Sequence, residues 1–233
     1  MILAGHQPEY LCYIGFFHKM MHCDKFVLVD HVQFEKKYFQ NRNKIRTKEG
    51  SILLTIPVFS KGKFEQKINE VEINNNVDWQ KKHWRSIVFN YQKAPFFSEY
   101  KDFFEQIYSK RWEKLVDINE TIIRYIAKQL HINVEIVKSS EVNPSGYKTD
   151  LLIDMCKKLG ADSYLSGEGG RLYVDELKFK SNNIESLYTN FQHPVYQQQF
   201  EPFITNMSVI DLMFNHGNEI SRKIINNSGI IGK

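Results

Sequence analysis

The sequence predicts an α/β fold with a mostly parallel sheet, and the first thirty residues supply the main reasons. Residues 1–5 form a short apolar segment, which is followed by a polar turn that begins at His6. Apolar side chains then recur at helical spacing from Ile14 to Met21. Residues 25–30 are apolar with almost no polar alternation, as expected for a parallel strand buried on both faces. Strand, helix and strand in this order indicate a βαβ unit.

A basic segment follows this unit. Residues 35–46 contain five cations and two aromatic side chains, so we expect them to lie outside the core. The turn signal Lys48-Glu49-Gly50 precedes a strand-like run at residues 51–58. The pattern predicts a hairpin with its turn near Gly50.

The rest of the chain alternates helical and extended patterns. Apolar positions four residues apart predict a helix from Trp79 to Tyr91, with Asp78 as its N-cap. The further predicted elements are helices at 96–108, 115–130, 151–159 and 210–214, and strands at 132–137, 163–165 and 184–188. These elements predict a Rossmann-like sheet with flanking helices, a basic hairpin and a helical insertion at about 79–130, in a single domain spanning 1–233.

Composition narrows the classes of function. The chain has 233 residues, 42% of them hydrophobic, and its net charge of +4 does not demand a polyanionic partner such as nucleic acid. Cys12, Cys23 and Cys156 are too irregularly spaced for a disulfide framework or a zinc site, which favours a reducing compartment. No apolar run approaches the roughly 20 residues that cross a bilayer, so we expect a cytoplasmic protein without a membrane span.

The ends of the predicted strands are the expected site. In parallel sheets ligands bind outside the carboxyl ends of strands, so residues 6–10 and 30–34 should line one crevice. His6 can act as general acid or base or can hydrogen-bond an anion, with Gln7 and Tyr10 beside it. A lone histidine is also often structural. His6, Asp30 and Glu168 are the three candidates for a catalytic base.

A glycine-rich turn follows the strand at 163–165. The backbone N–H groups of Ser166, Gly167 and Gly169 could approach a phosphate, and Arg171 could supply a bidentate cation. The pattern matches neither a Walker loop nor the dinucleotide fingerprint, and a turn that needs glycine only for its conformation also explains it.

The basic segment is the other candidate for phosphate binding. Its cations suit the phosphates of a nucleotide or nucleotide sugar, and its amides suit a sugar or a base edge; the residues are Asn41, Arg42, Asn43, Lys44 and Arg46. A solvated hairpin without a ligand is the alternative, and RNA binding, with Tyr38 and Phe39 as stacking platforms, is another. His18 and His22 lack a third metal ligand, so we expect no metal site.

Six segments in order resemble the WbqC-like protein family. They are His6-Gln7-Pro8-Glu9-Tyr10-Leu11, Asp30-His31-Val32-Gln33-Phe34, Asn41-Arg42-Asn43-Lys44-Ile45, Tyr91-Gln92-Lys93-Ala94-Pro95-Phe96, Tyr164-Leu165-Ser166-Gly167 and His193-Pro194-Val195-Tyr196. Cys12-Tyr13 departs from the Pro-Trp that the family usually has there. The matching segments add Gln33, His193 and Tyr196 to the expected substrate contacts.

The resemblance implies a pathway and a reaction class. Genes of the family accompany O-antigen, lipopolysaccharide and other surface polysaccharide synthesis, and glycine transfer has been suggested for such proteins. It implies a transferase or ligase that attaches glycine or another small acyl group to an amino sugar carried on a nucleotide. The element order is also similar to adenylating enzymes such as pantothenate synthetase, although His-Gln-Pro stands where those have His-x-Gly-His.

Several alternatives stay open at this point. If the reaction is adenylation, ATP with magnesium is the candidate cofactor; His6 and residues 166–171 would hold its phosphates, while Arg42, Lys44 and Arg46 would stabilise developing charge. A thioester or an aminoacyl-tRNA as donor would need no ATP. The third alternative is a noncatalytic module that binds nucleotide sugar or RNA. For self-association, a dimer is only the base-rate expectation.

Overall fold

The computed structural model describes residues 1–232. Its strands are β1 (Ile2–His6), β2 (Lys25–Leu28), β3 (Arg42–Thr47), β4 (Gly50–Thr55), β5 (Glu135–Lys138), β6 (Ser163–Ser166), β7 (Glu185–Phe191) and β8 (Gly229–Gly232). Its helices are α1 (Ile14–Met21), α2 (Trp79–Tyr91), α3 (Phe97–Ser109), α4 (Leu115–Gln129), α5 (Ser139–Val142), α6 (Thr149–Leu159), α7 (Glu176–Ser181) and α8 (Val209–Asn226). Two 3-10 helices cover Ile68–Glu70 and Glu168–Leu172.

The central sheet confirms the predicted α/β class. Its strand order is β5-β2-β1-β6-β7-β8, in which the first five strands are parallel and β8 runs antiparallel to β7. Ala4 in β1 pairs with Phe26 on one side and with Leu165 on the other. The chain moves outward from β1 to β2 and β5 and then resumes at β6, on the opposite side of β1. The strand order therefore reverses between β1 and β6.

Side chains of the central strands fill the core on both faces of the sheet. Ala4 and Phe26 belong to one buried cluster, whereas Leu3 and Val27 belong to another. Because successive side chains of a strand point to opposite faces, both faces of β1 and β2 are covered. This explains the nearly continuous apolar run at residues 25–30.

Helices α1 to α4 have the predicted bounds to within one residue, and α6 begins two residues before its predicted start. Helix α2 spans the predicted residues 79–91, and its Trp79, Ile87 and Tyr91 are buried in the cluster that also contains Ala4. Asp78 stands at the N-cap position, but its side chain makes no capping hydrogen bond. Among residues 1–232, no helix is both long enough and apolar enough to cross a bilayer.

Three features differ from the sequence prediction. Helix α8 extends well beyond residues 210–214, with a kink at Gly217, whose φ is 70°. Strand β8 was not predicted because it is only four residues long and two of them are glycine. The hairpin of β3 and β4 does turn at Gly50, but Ile45 and Arg46 are buried, so the expectation that residues 35–46 lie outside the core is wrong for this strand.

Candidate active site

Two loops leave the sheet where the strand order reverses. Strand β1 ends at His6 and the adjacent parallel strand β6 ends at Ser166, so the segments that follow them start from the same edge of the sheet. We call residues 6–13 together with residues 166–173 the switch site. This edge is where open parallel sheets bind ligands.

His6 is a neutral imidazole at this site. Its Nδ1 lies 3.0 Å from the carbonyl oxygen of Gln7, and since a carbonyl only accepts, Nδ1 carries the proton and Nε2 does not. Burial and then the charge of Lys19 lower the pKa of His6 to about 3. Nε2 can therefore accept a hydrogen bond from a substrate, but His6 is a weak base and supplies no positive charge to a phosphate.

Glu9 is the site residue that the sequence prediction missed. Its side chain is only 3% exposed, and burial raises the pKa of its carboxyl group to about 7 against the opposing effect of Lys19. A group with this pKa changes charge near neutral pH, as a general base should. The pattern of residues 6–11 gives no sign of this burial, and only the fold reveals it.

Lys19 of α1 reaches the same end of β1. Its Nζ donates a 2.8 Å hydrogen bond to the carbonyl oxygen of Gly5. Burial lowers the pKa of Lys19 to about 8, while the charges of Cys23 and Glu9 act in the opposite direction. Lys19 thus interacts electrostatically with two titratable side chains of the first loop, His6 and Glu9.

Tyrosine side chains surround these groups. Burial raises the pKa of Tyr13 to about 12, and the carboxylates of Glu9 and Glu168 add to this effect. The pKa of Tyr38 is also raised, by burial first and then by Glu9 and others, including Tyr173. Tyr38 and Tyr173 expose 44% and 48% of their surfaces, so both are accessible to a ligand near Glu9. Their rings are suited to stacking on a sugar or a base.

The glycines of the second loop have different physical roles. A Cβ on Gly170 would lie 1.8 Å from Oγ and 2.8 Å from Cβ of Ser166, so a side chain at this position would displace Ser166. Gly167 has a φ of −74°, Gly169 has no left-handed φ, and a Cβ on either would meet no atom within 4 Å. Lack of space for a Cβ therefore explains the glycine at position 170, but neither lack of space nor a left-handed φ explains Gly167 or Gly169. The space beside those two glycines is open to a ligand.

Hydrogen bonds from neighbouring elements hold the first loop in its conformation. Leu11 is a non-glycine residue with a φ of 47°, and its carbonyl oxygen accepts a 2.8 Å hydrogen bond from Asn43 Nδ2. Asn119 Nδ2 donates to the carbonyl oxygen of Pro8. Gln7 Oε1 accepts a 2.6 Å bond from Gln40 Nε2. Asn43 thus stabilises the conformation of residues 6–13, whereas the sequence predicts that it contacts a substrate.

Arg46 is the largest correction to the predicted phosphate contacts. Its Nε donates to Gln198 Oε1, one terminal nitrogen donates to the carbonyls of Thr47 and Gly50, and the other donates to those of Phe200 and Pro202. All five donors of the guanidinium are used, so none is left for a phosphate. Arg46 ties β3 to the loop at residues 198–202.

Other predicted contacts also have structural roles. Tyr10 is fully buried, with its hydroxyl bonded to His83 and Tyr108, and Tyr196 donates to the buried Asp211. Asn41 Nδ2 donates to the carbonyl oxygen of Ile56. Asp30 accepts hydrogen bonds from Ser139 and Ser140 at the start of α5, one strand further from β6 than β1 is. The polar groups of these side chains are therefore engaged within the fold, and none of them is available to a ligand at the switch site.

The remaining predicted residues lie at the surface or beside another cavity. Gln33 is exposed and donates to the carbonyl oxygen of Phe64, Arg42 donates to that of Lys37, and Lys44 is exposed. His193 lines a cavity of about 400 Å³, but both of its ring nitrogens are used, by the carbonyl of Pro194 and the N–H of Asn206. A second cavity of about 420 Å³ lies between Lys110 and Thr121.

Two residues that the sequence predicts at the site, Glu168 and Arg171, lie at the rim of the switch site. Glu168 is exposed, and its charge acts on Tyr13. The guanidinium of Arg171 stacks 4.0 Å from the ring centre of Tyr188 in β7, which orients it beside the glycine-rich loop. Of the three predicted catalytic residues, the switch site therefore contains His6 and Glu168, whereas Asp30 lies elsewhere.

Comparison with known proteins gives a family and one relative of unknown activity. The model of the WbqC-like protein family matches residues 7–223. A Mycobacterium tuberculosis protein named "Uncharacterized protein Rv1507c" is 34% identical over 215 residues, which cover 91% of this chain and 93% of the relative. No solved structure matches significantly. The family match extends over both loops of the switch site and over the basic hairpin. The chain therefore belongs to the WbqC-like protein family.

Proposed function

We propose that this protein is an enzyme that attaches a small acyl group, such as glycine, to the amino group of a sugar in surface polysaccharide synthesis. The observation that carries the proposal is the switch site: open space beside Gly167 and Gly169, next to acid–base groups at the ends of β1 and β6. The family resemblance supports the sugar and the pathway, and the site chemistry supports proton transfer.

The residues have distinct roles in this proposal. Gly167 and Gly169 admit the substrate close to the backbone, and the N–H groups of this loop bind its phosphate. Nε2 of His6 accepts a hydrogen bond from a sugar hydroxyl. Tyr38 and Tyr173 contact the face of the sugar or the base at the exposed side.

The charges at the site favour a donor that arrives already activated. Adenylation develops negative charge that cations must stabilise, but Arg46 is fully engaged in the core and His6 is neutral. The N–H groups of the glycine-rich loop can bind the phosphates of a nucleotide-linked sugar without the cations that adenylation needs. We therefore favour a thioester or an aminoacyl-tRNA as acyl donor over ATP-dependent adenylation.

Mass spectrometry of a transfer reaction tests the proposal. The protein is incubated with UDP-glucosamine and a panel of nucleotide-linked amino sugars, together with a glycyl thioester, glycyl-tRNA, or glycine with ATP and magnesium. We expect a product heavier than the sugar by one glycyl residue. The variant Gly167→Ala should fold and lose most of this activity, whereas Glu219→Gln, an exposed change on α8, should keep it.

The donor that supports the reaction separates the alternatives. Product from glycine with ATP would overturn our preference for a preactivated donor. Binding of a nucleotide sugar without product from any donor would contradict the enzymatic proposal and favour a noncatalytic binding protein.

A further inference from the structure

Among residues 1–232, the carboxyl group of Glu9 has no hydrogen-bond or ion-pair partner. It is 3% exposed, and none of the ion pairs among residues 1–232 includes it. No side-chain hydrogen bond in that part of the chain reaches it, and Lys19 is the neighbouring charge that acts on its pKa beside burial. Buried carboxylates are normally paired or hydrogen-bonded; this one keeps a small contact with solvent, through which a ligand can reach it.

The groups facing Glu9 do not supply that partner. Nζ of Lys19 donates to the carbonyl oxygen of Gly5, and the Cys12 thiol donates to the backbone carbonyl of Glu9 instead of to its carboxylate. Tyr13 and Tyr38 carry phenols whose pKa is raised, so both stay neutral near pH 7. His6 is neutral as well. A ligand with a positive charge and N–H donors would complete this environment.

We infer that Glu9 binds the primary ammonium group of the amino-sugar acceptor and removes its proton before acyl transfer. The inference rests on the proposed function and names the group that the site recognises. It assigns acid–base catalysis to Glu9 and leaves Glu168 at the rim. An exposed carboxylate could bind the same ion, but water would weaken the contact.

The chemical step balances without a further reactant beyond the activated acyl donor. The ammonium transfers one proton to the Glu9 carboxylate, which leaves a neutral amine with a free electron pair. This pair attacks the acyl carbon, the new C–N bond forms, and the bond to the ester oxygen or thioester sulfur breaks with its electrons on the leaving group. The amide nitrogen then loses its second proton to the leaving group, and Glu9 returns its proton to water. The near-neutral pKa of about 7 lets Glu9 alternate between both forms.

Carbon-13 NMR of the intact protein with labelled glutamate carboxyls tests the inference without measuring activity. Glu9→Gln assigns the Glu9 signal by its disappearance, and Glu168→Gln, which should leave that signal in place, is the matched control. The titration is recorded alone, with D-glucosamine, and with D-glucose. We expect a midpoint near pH 7 that glucosamine lowers by at least half a pH unit and glucose leaves unchanged. A midpoint that glucosamine does not move would overturn the inference.

A second readout separates this inference from the proposed function. If glucosamine shifts the Glu9 titration but no donor gives product, the ammonium site is supported and the proposed acyl transfer is refuted. If the wild-type protein forms product and Glu9→Gln has the same kcat at pH 7, acyl transfer is supported and the proposed role of Glu9 is refuted. The inference predicts at least a hundredfold loss of kcat, together with loss of the rise in rate near pH 7.

Discussion

At the scale of single residues, Glu9 should make stability depend on pH. Its pKa is about 7 in the fold and near 4.5 in the unfolded chain, so between these values the folded state binds more protons. The free energy of unfolding therefore falls as the pH rises from 4.5 to above 7, by up to about 3 kcal/mol for such a shift. The sequence could not reveal this, because Glu9 and Glu168 are both ordinary loop carboxylates until the fold buries one of them.

The variant Glu9→Gln tests this pH effect. It cannot ionise, so it should be more stable than the wild type at pH 8 and about equally stable at pH 4.5. Thermal unfolding of both proteins at the two pH values measures the difference, and Glu168→Gln should show no comparable change. A Glu9→Gln protein with the same stability relative to wild type at both pH values would contradict the burial of a carboxylate without a partner.

The glycines of the switch site allow a second test at this scale. Gly170→Ala forces a methyl group against Oγ of Ser166, which should cost about 1–3 kcal/mol of unfolding free energy. Gly169→Ala places the same methyl group in open space and should change stability by less than about 0.5 kcal/mol. Urea unfolding of the pair measures this contrast. Equal destabilisation of both variants would mean that the loop packs differently.

At the scale of elements, regular patterns were predicted well and irregular ones were not. Helix α2 was predicted at its observed bounds because Trp79, His83, Ile87 and Tyr91 recur four residues apart. The burial of Arg46 depends on carbonyls at Phe200 and Pro202, which no local pattern connects to it. The sequence of the basic hairpin thus resembles a phosphate site, although the side chain of Arg46 holds β3 against residues 198–202.

The hairpin gives a prediction at this scale. Arg46→Met removes five hydrogen bonds and leaves the carbonyls of Phe200 and Pro202 without these donors, so it should destabilise the protein by about 3 kcal/mol. Lys44→Ala, on the exposed face of the same strand, should have little effect on stability. Chemical denaturation compares the two variants. If Arg46→Met loses ligand binding but not stability, the structural role is contradicted and the phosphate contact that the sequence predicts for Arg46 is supported.

At the scale of the whole molecule, the strand order decides where chemistry can occur. The sequence predicted the parallel sheet and the site at the end of β1, because a βαβ unit fixes that edge. It could not rank the neighbours of β1, and it therefore predicted that Asp30, after β2, lines the crevice with residues 6–10. The order β2-β1-β6 puts the reversal beside β6. This explains why Gly167 and Gly169 lie at the site and Asp30 does not.

Amide NMR of the protein titrated with UDP-glucosamine tests most directly whether the ligand binds at the switch site. We expect the largest shifts on His6, Glu9, Gly167 and Gly169, at the ends of β1 and β6. Shifts confined to the cavity around His193 and Gly229, or to the one between Lys110 and Thr121, would contradict it and move the site away from the switch between these strands.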